Sequence, residues 1–351
     1  MQVLNEQTTM VATAPIGVAI FGVSTPFAYW GFHLVLEIVH AAAGETLHLH
    51  ITNFQQLHDR VGERGAGSLV VTSDFPDQDL FDFLLRSALP LIAFADDVEE
   101  MVDWTAHSRK MSTENAVRFC SNVMCVLAPA FVAPRALILR PGSTARALVA
   151  AVVGHLCPNA DERLAPRLYE ALVREGKISA EGPANWRTTV ETSDTGTLLA
   201  DPERTADMKT ALASYATVFS GRFPLQVVWP VSLFTCPDVE NWRQPIDLTG
   251  PARAVIYGPY LHLPAGDWVA RVEFEIDEAI SGVEASTDVF ISEVLVQKVF
   301  LMPAKGIFAY ELSFAVSDPR HAVEIRLFTK RSAIEGRLLM RSVTVRPGKV
   351  A

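Results

Sequence analysis

Two hydroxyl residues lie at a point in the sequence where many proteins bind phosphate groups. Ser24 and Thr25 follow the apolar run IGVAIFGV (16–23) and precede the helical pattern AYWGFHLVLEIVHAAAG. In α/β proteins such a strand–loop–helix unit presents free N–H groups and a positive dipole end to an anion. The loop has no basic residue and no glycine, and the chain lacks the common phosphate-binding motifs. The pattern leaves open either a nucleotide loop or a turn without a ligand.

A second group of residues could bind a metal ion. His33, Glu37 and His40 share one helical face because they are spaced at i, i+4 and i+7. His48 and His50 share one face of the strand that follows. Imidazole and carboxylate suit zinc or iron, but this spacing is not a standard ligand motif. Ordinary, partly buried histidines are the favoured interpretation, and we predict no metal or other cofactor.

A third group is aromatic and lies in IYGPYLHLPAGDWVARVEFEI (256–276). Tyr257 and Tyr260 flank a Gly-Pro break, and Pro259 cannot donate to a strand ladder, which favours an edge or a strand end. We therefore predict that at least one tyrosine is exposed, together with a nearby acid such as Asp267. Trp268 begins a run in which apolar and polar residues alternate, which is typical of a one-sided strand. Core packing is the alternative for Tyr257 and Trp268.

The elements that would position the hydroxyl and histidine residues alternate regularly. Apolar, strand-like runs at 16–23, 46–52, 68–76 and 90–97 are each followed by a helical pattern. This alternation predicts an α/β sheet that is mostly parallel. The period is helical from Ser112, a predicted N-cap, to about Gly221. We therefore predict that residues 1–225 form an α/β domain with a helical extension.

The elements around the aromatic group are short strands. After a predicted linker at 226–250, seven β-type runs separated by turns continue to residue 345. Such spacing predicts an all-β antiparallel sandwich, like a jelly roll, over residues 251–351.

Composition excludes several classes of partner. The 351 residues carry a formal net charge of −10, and no basic run exceeds two residues, so nucleic acid is not an expected partner. The four cysteines form no CxxC pair, which favours reduced thiols in a cytoplasmic protein. The N-terminus has no secretory signal pattern, and no run of about 20 clean apolar residues predicts a membrane span.

The C-terminal part resembles a known class of module. ARAVIYGPYLHLPAGDWVARVEFEI, followed by FAYELSFAVSDPRHAVEIRLF, resembles jelly-roll carbohydrate-binding modules of bacterial polysaccharide-related proteins, over roughly residues 245–346. The resemblance implies a β-sandwich in which aromatic rings stack on sugars while acids bind hydroxyls. The ligand-binding candidates that it implies are Trp242, Tyr257, Tyr260, Trp268, Asp247, Asp267 and Asp288.

The N-terminal part weakly resembles the first unit of P-loop sulfotransferases. In that family the loop holds a basic residue beside Ser and Gly, and a later strand ends in an Arg that reaches the cofactor. Here the loop has neither feature, and the strand LIAFADD ends in Asp96 and Asp97. Two acids would repel a phosphate. The resemblance therefore implies a degenerate domain, that is, a pseudoenzyme.

These observations favour a non-catalytic, carbohydrate-associated binding or assembly protein whose sandwich recognises a glycan or a protein partner. One alternative is a transferase of the sulfotransferase type with an altered donor site. Another is a scaffold subunit that uses the sandwich for protein contacts, and a homo-oligomer is possible in each case.

Overall fold

The computed structural model describes residues 15–62, 67–182, 202–220, 226–239, 244–279 and 282–348. The chain divides into two compact units. The α/β unit comprises 1–97 and 129–193, and the sandwich unit comprises 98–128 and 194–351. This division differs from the predicted boundaries, since the segment 98–128 belongs with the strands of the sandwich.

A parallel sheet forms the centre of the α/β unit. Its five strands run in the order β2-β3-β1-β4-β5, and every pairing is parallel. The predicted α/β architecture is confirmed. The strands are β1 (Gly17–Gly22), β2 (Thr46–His50), β3 (Ser68–Ser73), β4 (Leu91–Phe94) and β5 (Ala136–Leu139).

Strand β5 corrects the prediction of a helical period from Ser112 to about Gly221. Its four residues, ALIL, pair with β4 in parallel register. A short apolar run does not distinguish a strand from a buried helical turn, so pairing with a neighbouring strand decides the outcome here.

Eight α-helices lie in the described residues. They are α1 (Pro26–Ala43), α2 (Phe54–Val61), α3 (Gln78–Arg86), α4 (Val98–Ser108), α5 (Thr113–Val132), α6 (Ala145–Leu156), α7 (Leu164–Arg174) and α8 (Pro202–Tyr215). Helix α1 begins at a Thr25 cap and ends at Gly44, whose φ of 78° favours glycine. It packs with α6 and α7 into the main core of the α/β unit. The predicted Ser112 cap of α5 is present, since its Oγ accepts from Asn115 N at 3.3 Å.

Two antiparallel sheets form the predicted sandwich. One has the order β11-β10-β13-β8, and the other has the order β12-β9-β14-β6, with β7 also pairing with β14. The strands are β6 (Val227–Trp229), β7 (Ile246–Asp247), β8 (Ala254–Leu261), β9 (Gly266–Asp277), β10 (Glu284–Ile291), β11 (Glu293–Leu301), β12 (Gly306–Val316), β13 (Val323–Thr329) and β14 (Arg337–Pro347). Because β6 and β7 bond to β14, the predicted linker 226–250 contributes strands to the sandwich.

The inner faces of the two sheets bury an apolar core. Phe274 and Tyr310 from one sheet pack their rings at a centroid distance of 5.5 Å, and Phe300 from the other sheet joins them. The Tyr310 hydroxyl donates to Thr287 Oγ1 at 2.9 Å, and burial raises its pKa. The core therefore includes side chains from both sheets, and the buried hydroxyl of Tyr310 has a hydrogen-bond partner within it.

Helix α5 belongs, as far as Ala128, to the same unit as the strands of the sandwich. Arg118 Nε donates to Pro259 O at 3.0 Å, and Ser121 Oγ lies 3.2 Å from His262 Nδ1. Tyr215, the last residue of α8, donates its hydroxyl to His262 O at 2.6 Å. Burial lowers the pKa of His262 to about 4. These bonds fasten α5 and α8 to the turn between β8 and β9.

Among the described helices, α5 alone is long and apolar enough to cross a membrane. About two thirds of its apolar stretch, 67%, is buried inside the protein. A core helix of this length passes the same test, so length and composition do not assign a membrane role to α5.

Candidate functional site

One face of the sandwich carries polar and aromatic side chains together. Along β13, Val323, Ile325 and Leu327 are buried against the core. The residues between them point the opposite way and are partly exposed, because successive strand residues alternate between faces. These outward residues are Glu324, Arg326 and Phe328. We call the side of the sheet β11-β10-β13-β8 that faces away from the core the outer face.

Four residues form a polar row across the outer face. Arg326 lies directly opposite Tyr257 of β8 on one side and Asp288 of β10 on the other. Asp288 in turn lies opposite Gln297 of β11. Residues opposed in this way in antiparallel strands are near enough to contact one another. The row thus spans all four strands of the sheet.

The Arg326–Asp288 pair is the most tightly held part of this row. The two side chains make a bidentate pair, with Nε–Oδ1 at 2.8 Å and Nη2–Oδ2 at 3.0 Å. The Asp288 side chain is only 3% exposed, and the Arg326 guanidinium carbon lies 4.0 Å from the centre of the Phe290 ring. The hydrogen bonds to Asp288 raise the pKa of Arg326. The pair is rigid because it combines two charge-assisted bonds with ring stacking.

An open cavity of about 370 Å³ lies on the outer face beside this row; we call it the sheet groove. Phe328 gives it an aromatic wall, and Asp288, Gln297 and Ser286 give it polar groups. The volume falls within the range of ligand pockets, roughly 300–1,000 Å³. Its full lining is Ala252, Arg253, Ala254, Ser286, Asp288, Gln297, Phe328, Thr329 and Lys330.

The two tyrosines of the predicted site, Tyr257 and Tyr260, meet at another part of the outer face; we call them the tyrosine pair. Their rings contact edge to face at a centroid distance of 6.5 Å, and both side chains are partly buried. Arg118 lies over the Tyr260 ring at 5.0 Å, so one ring face is covered. Burial, followed by the charge of Glu324, raises the pKa of Tyr260, and burial raises that of Glu324. Tyr260 has a φ of 65°, which is a strained conformation for an aromatic residue.

The structure separates the other predicted sugar-binding residues from this face. Trp268 is 3% exposed and donates its ring N–H to Pro264 O at 2.9 Å, so it belongs to the core. Asp267 is exposed but lies near the start of β9, in the opposite sheet. Asp247 lies on β7, which pairs with that same sheet. Trp242 lies outside the described residues. Of the predicted set, Tyr257, Tyr260 and Asp288 share the outer face.

The α/β unit has its own crevice, at the end of its sheet. Strand β1 lies between β3 and β4, so the connections from β1 and β3 diverge beside Ser24, at the position where open sheets bind ligands. Ser24 Oγ donates to Asp74 Oδ2 at 2.5 Å, and Tyr29 donates to the same oxygen at 3.0 Å. Ser24 and Asp74 are each 7% exposed. A nearly buried carboxylate therefore lies directly beside the predicted loop.

The start of helix α1 offers few donors to an anion. Thr25 Oγ1 accepts from Ala28 N at 3.1 Å, which makes it a helix cap, and Pro26 has no N–H. The hydroxyls of Ser24 and Thr25 are thus both engaged inside the protein. This geometry disfavours a nucleotide at the predicted loop.

The histidines predicted as a weak metal site make ordinary contacts. His33 Nε2 lies 3.0 Å from Lys177 O, and Glu37 pairs with the Lys177 ammonium at 3.5 Å. His48 and His50 each lie 3.0 Å from the hydroxyl of Thr72, and His40 is exposed. Burial, then the neighbouring His50, lowers the pKa of His48. Within the part of the chain that the structure describes, no three His, Cys, Asp or Glu residues are placed to share a metal ion.

No family profile matches this chain. No curated protein matches it either. Among solved structures, the xylan-binding module CBM15 matches at 11% identity and a TM-score of 0.25, over 36% of this chain and 98% of that one. A Family 16 Carbohydrate Binding Module-2 matches at 12% identity and a TM-score of 0.23, over 32% and 82%. A chain of the T13 IBDV viral particle matches at 5% identity and a TM-score of 0.22, over 30% and 29%.

The matches to carbohydrate-binding modules cover the C-terminal β part. The sequence predicts its resemblance to such modules for this same part, and the sulfotransferase-like resemblance of the N-terminal part stays a prediction. All three TM-scores are below 0.5, so these matches assign no ligand to this chain.

Proposed function

We propose that the sandwich unit binds a carbohydrate in the sheet groove. The observation that carries this proposal is an open groove that an aromatic residue, Phe328, lines together with the polar residues Asp288 and Gln297. Sugars present apolar C–H faces beside hydroxyl groups. An aromatic ring covers the former, while a carboxylate and an amide bond the latter.

The rigidity of the polar row supports binding. Arg326 fixes the nearly buried Asp288 through two hydrogen bonds, and the exposed Gln297 opposite Asp288 offers an amide oxygen and an NH₂ group to sugar hydroxyls. The side chains are already fixed by the pair and by the Phe290 ring. A site that is ordered before the ligand arrives loses less entropy on binding.

We propose binding without catalysis. Glycoside hydrolysis generally needs one carboxyl group that donates a proton and a second carboxylate that acts as nucleophile or base. Both oxygens of Asp288 accept hydrogen bonds from Arg326, so this side chain is not placed to donate a proton. Glu324 has a pKa that is raised by burial, but it lies on the outer face beside the tyrosine pair and does not line the groove.

A glycan array probed with the full-length chain, followed by calorimetry on the glycans that bind, tests the proposal. Gln297→Ala should weaken binding about five- to tenfold, because one hydrogen bond contributes roughly 0.5–1.5 kcal/mol. Phe328→Leu should weaken it by a similar factor through loss of ring stacking. Gln244→Ala, an exposed glutamine outside the groove, is the control and should leave binding unchanged. Equal affinity of all three variants would contradict the groove as the site.

A further inference from the structure

We infer that the sheet groove selects a glycan that carries an anionic sugar. This inference rests on the proposed carbohydrate binding and names the class of ligand. It comes from the charges that line the groove and from how each is paired. Three charged side chains line it, namely Arg253, Asp288 and Lys330.

The charges of two of these residues are balanced within the protein. Arg253 Nε lies 2.8 Å from Asp238 Oδ2, and its terminal nitrogens donate to main-chain carbonyls, the nearest being that of Asp247 at 2.6 Å. Asp288 is neutralised by its bidentate pair with Arg326. Neither Arg253 nor Asp288 therefore presents an unbalanced charge to a ligand in the groove.

Lys330 is different. It follows β13 directly, and its main-chain N–H donates to Glu284 O at 2.8 Å. The Glu284 carboxylate pairs with Arg331 Nε at 2.8 Å instead of with Lys330. Among the described residues, no carboxylate lies within ion-pair distance of the Lys330 ammonium. The groove therefore carries one uncompensated positive charge.

The other polar groups near Lys330 do not change this balance. Ser286 and Thr329 are 1% and 3% exposed, and Thr329 Oγ1 already accepts from Arg253 N at 3.0 Å. The ammonium has three donors and no acceptor. A charge-assisted bond to a carboxylate or sulfate is roughly twice as strong as one to a neutral hydroxyl. An anionic substituent is therefore the chemistry that this end of the groove favours.

The net charge of the chain does not prevent this choice. The formal charge is −10, which would repel an anion at long range. Exposed charges are screened beyond about 8 Å at physiological salt, whereas the ammonium contacts the ligand directly. The direct contact between the Lys330 ammonium and an anionic ligand therefore outweighs the repulsion from the overall charge. The preference for the anionic ligand should weaken as salt is added.

Paired probes that differ only in charge test the inference on the full-length chain. Hexagalacturonate is compared with its methyl ester, and a sulfated carrageenan oligosaccharide with its desulfated form, by calorimetry or affinity electrophoresis. Each charged probe that binds should bind at least about tenfold more tightly than its neutral counterpart. Lys330→Gln should abolish that preference, while Lys330→Arg should retain it. Lys298→Gln on β11 is the control, because Lys298 lies opposite the inward residue Thr287 and does not line the groove.

The outcomes separate this inference from the proposed function. Binding of neutral glycans that equals or exceeds binding of the charged probes, or that is unaffected by Lys330→Gln, overturns the anionic preference and leaves carbohydrate binding standing. No binding of any probe, and none on the glycan array, overturns both. Preference for the carboxylated probe over the sulfated one, or the reverse, identifies which anion the groove takes.

Discussion

The crevice of the α/β unit and the sheet groove of the sandwich unit each hold a nearly buried carboxylate, but they hold it in opposite ways. Asp74 accepts hydrogen bonds from two neutral hydroxyls, of Ser24 and Tyr29, and His50 Nε2 lies 3.9 Å from its other oxygen. Asp288 is bonded by a cation, Arg326, and an open groove lies beside it. A polar cluster becomes a binding site only where some donors or acceptors remain available after the internal hydrogen bonds of the protein have formed.

The comparison also shows that position in a fold is not enough. The end of the parallel sheet, beside β1, is the place where open α/β sheets most often bind ligands. Here the hydroxyls of Ser24 and Thr25 and the N–H group of Ala28 are already engaged. The outer face of the sandwich has no such general preference, yet it presents Gln297 and Lys330 to the solvent side of a groove.

The largest effect should come from breaking the carboxylate pair of the sandwich. Arg326→Met leaves Asp288 buried without a partner, and breaking a buried ion pair in this way costs about 3–5 kcal/mol of unfolding free energy. Urea unfolding followed by circular dichroism measures the loss. The double variant Arg326→Met with Asp288→Leu should recover most of it. If the double variant were as unstable as the single one, the isolated charge would not be the cause.

Acid should weaken the sandwich unit through His262, whose folded-state pKa burial lowers to about 4. The unfolded chain, with a pKa near 6.5, binds the proton more readily, so stability is fully present above about pH 6.5 and is lost as the pH falls to about 4. The difference corresponds to about 3 kcal/mol. Urea unfolding of the wild type at pH 7 and pH 4 should show this loss, and His262→Asn should lose less. An equal loss in both proteins would exclude His262 as the source.

A smaller effect is expected in the α/β crevice, because a neutral donor is removed there and a second one remains. Ser24→Ala should cost about 1.5–3 kcal/mol, as expected for a hydrogen bond to a charged group. Urea unfolding is again the measurement, and Ser143→Ala, at an exposed position of the same unit, is the control and should cost under about 0.5 kcal/mol. A Ser24→Ala variant as stable as the control would mean that Asp74 does not need this donor.

The last prediction is that nucleotides do not bind in the α/β crevice. ATP and a sulfonate-donor nucleotide should bind the full-length chain with dissociation constants above about 1 mM, because the loop 23–27 has no Lys or Arg and the hydroxyls of Ser24 and Thr25 are already engaged. Asp74→Asn should not create a site, since it removes the repulsion without adding a donor cation. Micromolar binding by calorimetry, to either protein, would contradict this account of the crevice.

The sequence predicts the architecture well because the alternation of apolar and polar residues along a strand shows which of its faces is buried. The run Trp268, Ala270, Val272, Phe274 and Ile276 has apolar residues on one parity, and all five are buried. The same parity could have assigned Trp268 to the core instead of to a sugar site. Strand β5 escaped prediction because four apolar residues carry too little periodicity to identify a strand.

The sites were less predictable because they depend on which strands become neighbours. Asp288 and Arg326 are 38 residues apart and meet only through the register of β10 with β13. Ser24 and Asp74 are 50 residues apart and meet because β1 pairs with β3, which is not the next strand along the chain. One available signal was the alternation VEIRLFT, which places an arginine between a glutamate and a phenylalanine on the polar face of β13.

The path of helix α5 has a consequence for how this protein can change over evolution. The helix passes from the sandwich unit into the α/β unit between Ala128 and Pro129, and the chain crosses between the units again near 97 and 193. A gene segment that encodes only 251–351 would carry β8 to β14 but leave behind β6, Arg118 and Ser121. Recombination at one pair of breakpoints therefore cannot move the complete sandwich unit to another protein without also moving part of the α/β unit. The two units are expected to be inherited, duplicated and lost together.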